Sequence, residues 1–529
     1  MNYKNTILRG LLILLTLFSC TSPLKDIELN VSTDVFSQRV LIHLKDPSNA
    51  ENLFNRNLKI EILDDPQGMV VNDLGKREFE SSYGYLGLAI DPSKATDDIR
   101  FKVKVSGEGY LTTTIPVHLS PEDSMSVYSA NLVDLEADEL INGVDKAKKT
   151  FELINSEVVT EVDFNTEASE AGASTKVKVA PGTTFKDING NEISGDGLDV
   201  QLVNFDNSNM EAMLSFPGGF SPNMIINENG EEEEGNYFIT AGFASIDMWV
   251  GDTEVKQFSQ PIDIEMTINP DFTNPETGAA IKAGDQIPVW SYDDEVGTWT
   301  YHQMGEVVEK DGKLCVDFQT DHLSWYNLDY EGAICYSTES TGAINIVNNN
   351  PGDLNYEFYT QFVFEGTDQP VGAISKILSF KNGEVIKLYE APEDRKVQLV
   401  VYKGRTRDSE EMLRTEAFYP CSEQVTVDIT DHVKELPPAI NLEVIGYCGD
   451  QPMRPTVHLS VLKDGKLLYQ GLMTNGKITF YNLNINTEYL FIALVPGQNG
   501  FDGGAVVTET FTSSNEVFDN YPLPDGACD

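Results

Sequence analysis

Period-two alternation of apolar and polar residues, repeated along nearly the whole chain, is the feature that most limits the fold. It appears at Leu58-Lys59-Ile60-Glu61-Ile62 and at Arg100-Phe101-Lys102-Val103-Lys104-Val105. It recurs at Lys176-Val177-Lys178-Val179 and at Ile262-Asp263-Ile264-Glu265-Met266. Successive strand side chains point to opposite faces, so each run is a strand with one buried and one wet face. Gly, Asn, Asp and Pro clusters separate the runs at short intervals. That pattern predicts an all-β chain of several tandem antiparallel β-sandwich modules. Helical spacing is scarce. The best stretch, Glu136 to Ser156, breaks at Gly143 and reads as a linker into the next module.

The first twenty residues carry an address. Lys4 and Arg9 precede an apolar run from Leu11 to Phe18, which ends at Ser19-Cys20. The run is too short to cross a bilayer, which takes about 20 apolar residues. A basic n-region, a short apolar stretch and small residues at a cut site make a secretory signal peptide. The cysteine at the cut resembles the lipobox of bacterial lipoproteins. That resemblance implies cleavage after residue 19, lipidation of Cys20, and a membrane as partner through the lipid. Lys25, Asp26 and Glu28 resemble the acidic export tag of Bacteroidetes surface lipoproteins. An outer-membrane or cell-surface location is therefore expected.

The chain has 529 residues and a formal charge of −47. Loss of residues 1–19 removes Lys4 and Arg9 and no acid, taking the charge to −49. Such a field repels nucleic acid, so no nucleic-acid partner is expected. At roughly 100–150 residues per domain, about four modules follow. The expected boundaries are 1–19 signal peptide, 20–23 lipidated tether, 24–138 an immunoglobulin-like or transthyretin-like sandwich, 140–330 a larger β-sandwich, 331–437 a further β-sandwich and 439–529 a last one. Pro437-Pro438 marks the final joint, since proline cannot continue a ladder. The modules are expected to stand in a row that carries a tip away from the bilayer.

Export into an oxidising compartment favours disulfides. Sequence alone does not choose the pairing. Cys335 and Cys421 bracket the third module, and Cys448 and Cys528 the fourth, so these pairs are preferred. Cys315, in an alternating run, reads as a small buried hydrophobe.

Two modules resemble known families. Gly471-Leu472-Met473-Thr474-Asn475-Gly476-Lys477-Ile478-Thr479-Phe480-Tyr481-Asn482-Leu483, followed by Tyr489, resembles carboxypeptidase-regulatory-like domains, which are prealbumin-like sandwiches without catalytic residues. The second module runs from Ala180-Pro181-Gly182 through Pro288-Val289-Trp290 and Gly297-Thr298-Trp299 to Asp321-His322-Leu323-Ser324-Trp325. It resembles the β-sandwich of ankyrins, netrin receptors and cartilage matrix proteins, and more loosely the autoproteolytic domain of adhesion receptors. That likeness implies a single self-cleavage between Leu323 and Ser324. His322 would serve as base, and the Ser324 hydroxyl would attack the Leu323 carbonyl. The alternative reading of His-Leu-Ser is a structural strand ending.

Other motifs carry less. Asp187-Ile188-Asn189-Gly190-Asn191 reads as a hairpin turn, its glycine misplaced for a calcium loop. Glu231 to Glu234 read as a solvated acidic tip with, at most, weak calcium association. No cofactor and no metal site is expected. The histidines are scattered, and no P-loop, dinucleotide fingerprint, His-Glu-x-x-His helix or Gly-x-Ser-x-Gly elbow is present. All four tryptophans read as core. The expectation is a lipid-anchored binding or scaffolding protein of the cell surface, with an unknown glycan or protein ligand, and not an enzyme. Two further readings are the self-cleaving module and an accessory subunit of an outer-membrane transport or secretion complex.

Overall fold

The computed structural model describes Phe36 and residues 38–521, apart from 49–57, 73–74, 83, 96–98, 120–124, 170–171, 337–338, 351–355 and 498–499. The expected signal peptide, Cys20 with its expected tether, and Cys528 lie outside the described residues. The chain is all-β, with two short helices, Met210–Met213 and Thr430–Lys434, among them. Neither is long and apolar enough to cross a membrane.

Pairs of sheets recur. The first pair joins Val70–Val71, Tyr85–Ile90, Arg39–Lys45 and Met125–Asn131 in one sheet, and Lys59–Leu63, Ile99–Ser106 and Thr113–Leu119 in the other. Phe101, Val103, Val105, Val117 and Leu119, none exposed, fill the space between them. The alternating runs quoted above fall in Lys59–Leu63, Ile99–Ser106, Ser174–Val179 and Gln257–Ile268. Residues 343–428 form a pair of three and four strands, and residues 440–521 form two of four.

Residues 144–333 form one continuous fifteen-stranded sheet. Thr298–Lys310 makes it continuous. Its first part pairs with Gln286–Asp293, and its last four residues pair with the start of Lys313–His322. A strand that changes sheets turns the corner of a sandwich. The Asp311-Gly312 turn sets the second pairing, with φ of 51° and 77°, as a two-residue primed turn requires.

Three features differ from expectation. Glu136–Ser156 is not a linker: Val144–Ile154 is a strand along Gly197–Phe205, and that long pairing overrides the weak local preference. The sheets are not purely antiparallel. Arg39–Lys45 runs parallel to Met125–Asn131, Ala343–Val347 to Gln424–Asp428, and Ile440–Cys448 to Asn515–Tyr521. In each of these units the first strand is closed by the last.

The third difference is that the units do not stand in a row, because the first touches each of the others. Toward the second, Lys102 Nζ donates to Thr298 Oγ1 and Val296 O, both at 3.2 Å, and Lys104 pairs with Glu295 at 3.0 Å. Toward the third, Glu390 takes Arg100 at 3.2 Å and His118 Nδ1 at 2.6 Å, and Lys45 meets Asp408 at 2.9 Å. Toward the fourth, Leu41 and Tyr85 pack on Ile492 and Leu494. The third reaches back to the second through Tyr237 Oη donating to Asp394 at 2.7 Å, and to the fourth through the Arg405 guanidinium 4.9 Å from the Tyr469 ring.

Trp290, Trp299 and Trp325 are buried in an aromatic cluster with Phe216, Phe238 and Phe243. Trp249 is not core: it is half-exposed, with Lys148 Nζ 5.7 Å from its ring. Cys335 and Cys421 form a disulfide, and Cys315 is free and buried. The Cys448–Cys528 pairing involves a residue outside the described set.

Candidate functional site

His322, Leu323 and Ser324 join Lys313–His322 to Trp325–Ala333, two inner strands of the second unit. Several polar groups there have partners. The Ser324 hydroxyl donates to Tyr292 O at 2.5 Å and accepts from Tyr292 N at 2.9 Å. The Leu323 amide donates to Lys256 O at 3.1 Å. The His322 carbonyl accepts from Tyr326 Oη at 2.6 Å and from Thr320 Oγ1 at 3.0 Å. Neither Leu323 nor Ser324 has a positive φ. The hydroxyl expected at the Leu323 carbonyl is thus engaged on the backbone of another strand. The structure does not bring His322 and Ser324 into a hydrogen bond.

It brings His322 to a different set. His322 Nδ1 lies 3.1 Å from Asp321 Oδ1 and 3.3 Å from Thr320 Oγ1. The His302 ring sits 5.6 Å away, inclined by 72°. His302 Nε2 lies 2.8 Å from Gln319 O. Tyr326 stands 5.8 Å from the His302 ring, and Phe318 6.1 Å. Burial holds the His302 imidazole below its ordinary range, and His322 adds to this; Gln319 and Asp321 act the other way. His302 is therefore neutral at neutral pH. The sequence reading did not single out His302, which lies twenty residues from His322 on the neighbouring strand.

The other candidates resolve differently. Among the described residues, the ligand atoms of Glu265, Cys315 and Asp317 lie within reach of one ion. Lys310 already fills that place, with Nζ 3.0 Å from Glu265 and 2.6 Å from Asp317 Oδ1. Burial, followed by the two carboxylates, pushes the Cys315 thiol up to about 11, so it is not a thiolate. The cluster borders a polar groove of about 500 Å³ that also takes in Lys176, Lys178 and Gln303. Asp187 to Asn191 form a turn in which Asp187 Oδ1 accepts from the amides of Asn189 and Asn191, and Gly190 has φ of 77°. In the acidic loop, Glu233 accepts from Asn227 and Asn236. Desolvation, then Glu233 and Glu228, pushes the Glu331 carboxyl up to about 7.

The fold defines a class, that of all-β proteins built from several sandwiches. No family model matches the chain, and no curated protein matches it. Among solved structures it is similar to the Bacillus anthracis TIE protein, at 12% identity over 73% of this chain and 59% of that one, with a TM-score of 0.13. The streptococcal ancillary pilin matches at 11% identity over 47% of this chain and 93% of its own, with a TM-score of 0.16. The T6 backbone pilin of Streptococcus pyogenes matches at 8% identity over 92% and 98%, with a TM-score of 0.13. The chain spans less than two thirds of the first of these. At such scores no shared function follows.

Proposed function

We propose that the chain is an exported, lipid-anchored protein that binds or scaffolds at the cell surface of a bacterium with an outer membrane. The observation that carries this reading is the contact of the first unit with all three others. Buried groups such as Lys102 and the Leu41–Tyr85–Ile492–Leu494 contact set the units against one another. Ordered in this way, loops from several units can present one surface, where binding groups are held on a firm support. The acidic balance keeps such a body soluble on a crowded exterior. Cys20, placed after Lys4, Arg9 and the apolar run, would supply the anchor. Several acyl chains hold well, at about 0.8 kcal/mol per buried CH₂.

The test is metabolic labelling with a fatty-acid analogue, together with fractionation of Cys20→Ala. Label on the wild type, and release of the variant from the membrane fraction, are expected. Protease added to intact cells should then reach the wild-type chain. A wild type without label, or a variant still held by the membrane, would remove the anchor from this reading.

A further inference from the structure

We propose that His302 and His322 form a binding site for a divalent transition-metal ion of the class that prefers imidazole nitrogen, Zn²⁺, Ni²⁺ or Cu²⁺. Two imidazoles on one tetrahedral ion, with metal–nitrogen bonds of about 2.0–2.1 Å, keep their ring centres roughly 5 Å apart. The two rings here are 5.6 Å apart.

The hydrogen bonds supply a second, separate argument. A ring nitrogen facing a carbonyl or carboxylate oxygen must carry the proton. His302 Nε2 faces Gln319 O, and His322 Nδ1 faces Asp321 Oδ1. The lone pairs therefore sit on His302 Nδ1 and His322 Nε2. Metal-bound histidines are oriented by the same kind of partner, a backbone carbonyl for one and a carboxylate for the other. The carboxylate of Asp321 adds negative charge beside the site.

The rings project from strands that pair with each other at Val307–Lys310, and beyond that ladder the contact of His302 Nε2 with Gln319 O holds the first ring against the second strand. His302 lies on Thr298–Lys310, and His322 ends Lys313–His322. His322 is 37% exposed at its side chain, which leaves room for water to complete the coordination. Affinity should follow the usual divalent order, with Cu²⁺ above Ni²⁺ and Zn²⁺. The site is separate from Glu265, Cys315 and Asp317, where the Lys310 ammonium stands between the carboxylates.

The experiment is calorimetric titration of the full chain in detergent with Zn²⁺ and with Cu²⁺, followed by paramagnetic resonance of the Cu²⁺ form. One ion per chain with a nitrogen-ligand signature is expected. His302→Ala and His322→Ala should each abolish it. Asp321→Ala should weaken it roughly tenfold while the nitrogen signature persists. His432→Ala and Cys315→Ser should leave it unchanged, and circular dichroism should show every variant folded. No uptake at millimolar metal, uptake that survives both histidine variants, or uptake lost with Cys315→Ser would overturn the proposal.

Discussion

Ser324 and Tyr292 exchange two hydrogen bonds, the hydroxyl donating to the carbonyl and the amide returning to the hydroxyl. The serine thus ties the end of one strand to its neighbour. Ser324→Ala should cost about 1–2 kcal/mol, the worth of a lost bond plus a partly unsatisfied partner. Both proteins should run as one uncut chain by intact mass. Two fragments meeting at Leu323 and Ser324 in the wild type, absent from the variant, would instead establish self-processing.

His43 stacks on Tyr85 at 4.5 Å, beside the contact between the first and last units. Some of its area remains in solvent, yet Nδ1 is covered and has no hydrogen-bond partner. Burial first, then Lys45, holds the imidazole well below 6.5. With the folded value depressed, the unfolded chain takes up the proton first as pH falls. This contribution to stability should then be lost as pH drops below about 6.5, at no more than about 1.4 kcal/mol per pH unit, and be constant above. His43→Phe keeps the stacking and should remove that slope. Urea midpoints for the two proteins between about pH 5 and pH 8 measure it, and parallel curves would refute it.

Asp329 makes the opposite contribution. It is fully buried near Thr240 and accepts from Asn327 Nδ2. Burial raises its carboxyl well above 3.8, and Thr240 offsets part of that. A raised carboxyl contributes stability below its unfolded value and loses it as pH climbs toward the folded one. Asp329→Asn should therefore stabilise the chain by about 1–3 kcal/mol in mild alkali, with the gain shrinking toward pH ~4. A gain that does not vary with pH would contradict this.

The Cys335–Cys421 bridge spans 86 positions. Closing a loop of that size is worth about 4–5 kcal/mol in the chain-entropy limit. Reductant, or Cys335→Ser with Cys421→Ser, should lower the melting temperature. Intact mass should rise by about 2 Da on reduction, or about 4 Da where a second bridge forms. A melting temperature indifferent to reductant would show that the bridge does not constrain the unfolded chain.

Local pattern accounts for much of the fold. Strands such as Ser174–Val179 and Gln257–Ile268 are legible because burial alternates along them. Val144–Ile154 is not, since its burial alternates poorly and its partner Gly197–Phe205 starts more than forty residues on. The parallel closures join strands some eighty residues apart, and no local signal marks them. The contact of Leu41 with Ile492 depends on how whole sheets face each other. The histidine pair was not legible: the hairpin register, Lys310 opposite Lys313, holds only as far as Val307, where Thr298–Lys310 passes over to Gln286–Asp293, so no count along the hairpin places His302 beside His322.

Arg39–Lys45 is an inner strand, antiparallel to Tyr85–Ile90 on one side and parallel to Met125–Asn131 on the other. Any tether ahead of Arg39 pulls along that strand. Its ladder bonds lie across the line of pull, so they share the load together instead of opening one by one. If the chain is anchored ahead of Arg39 as proposed, its first unit is wired in shear, a mechanical resistance suited to a body dragged by flow while one end stays fixed.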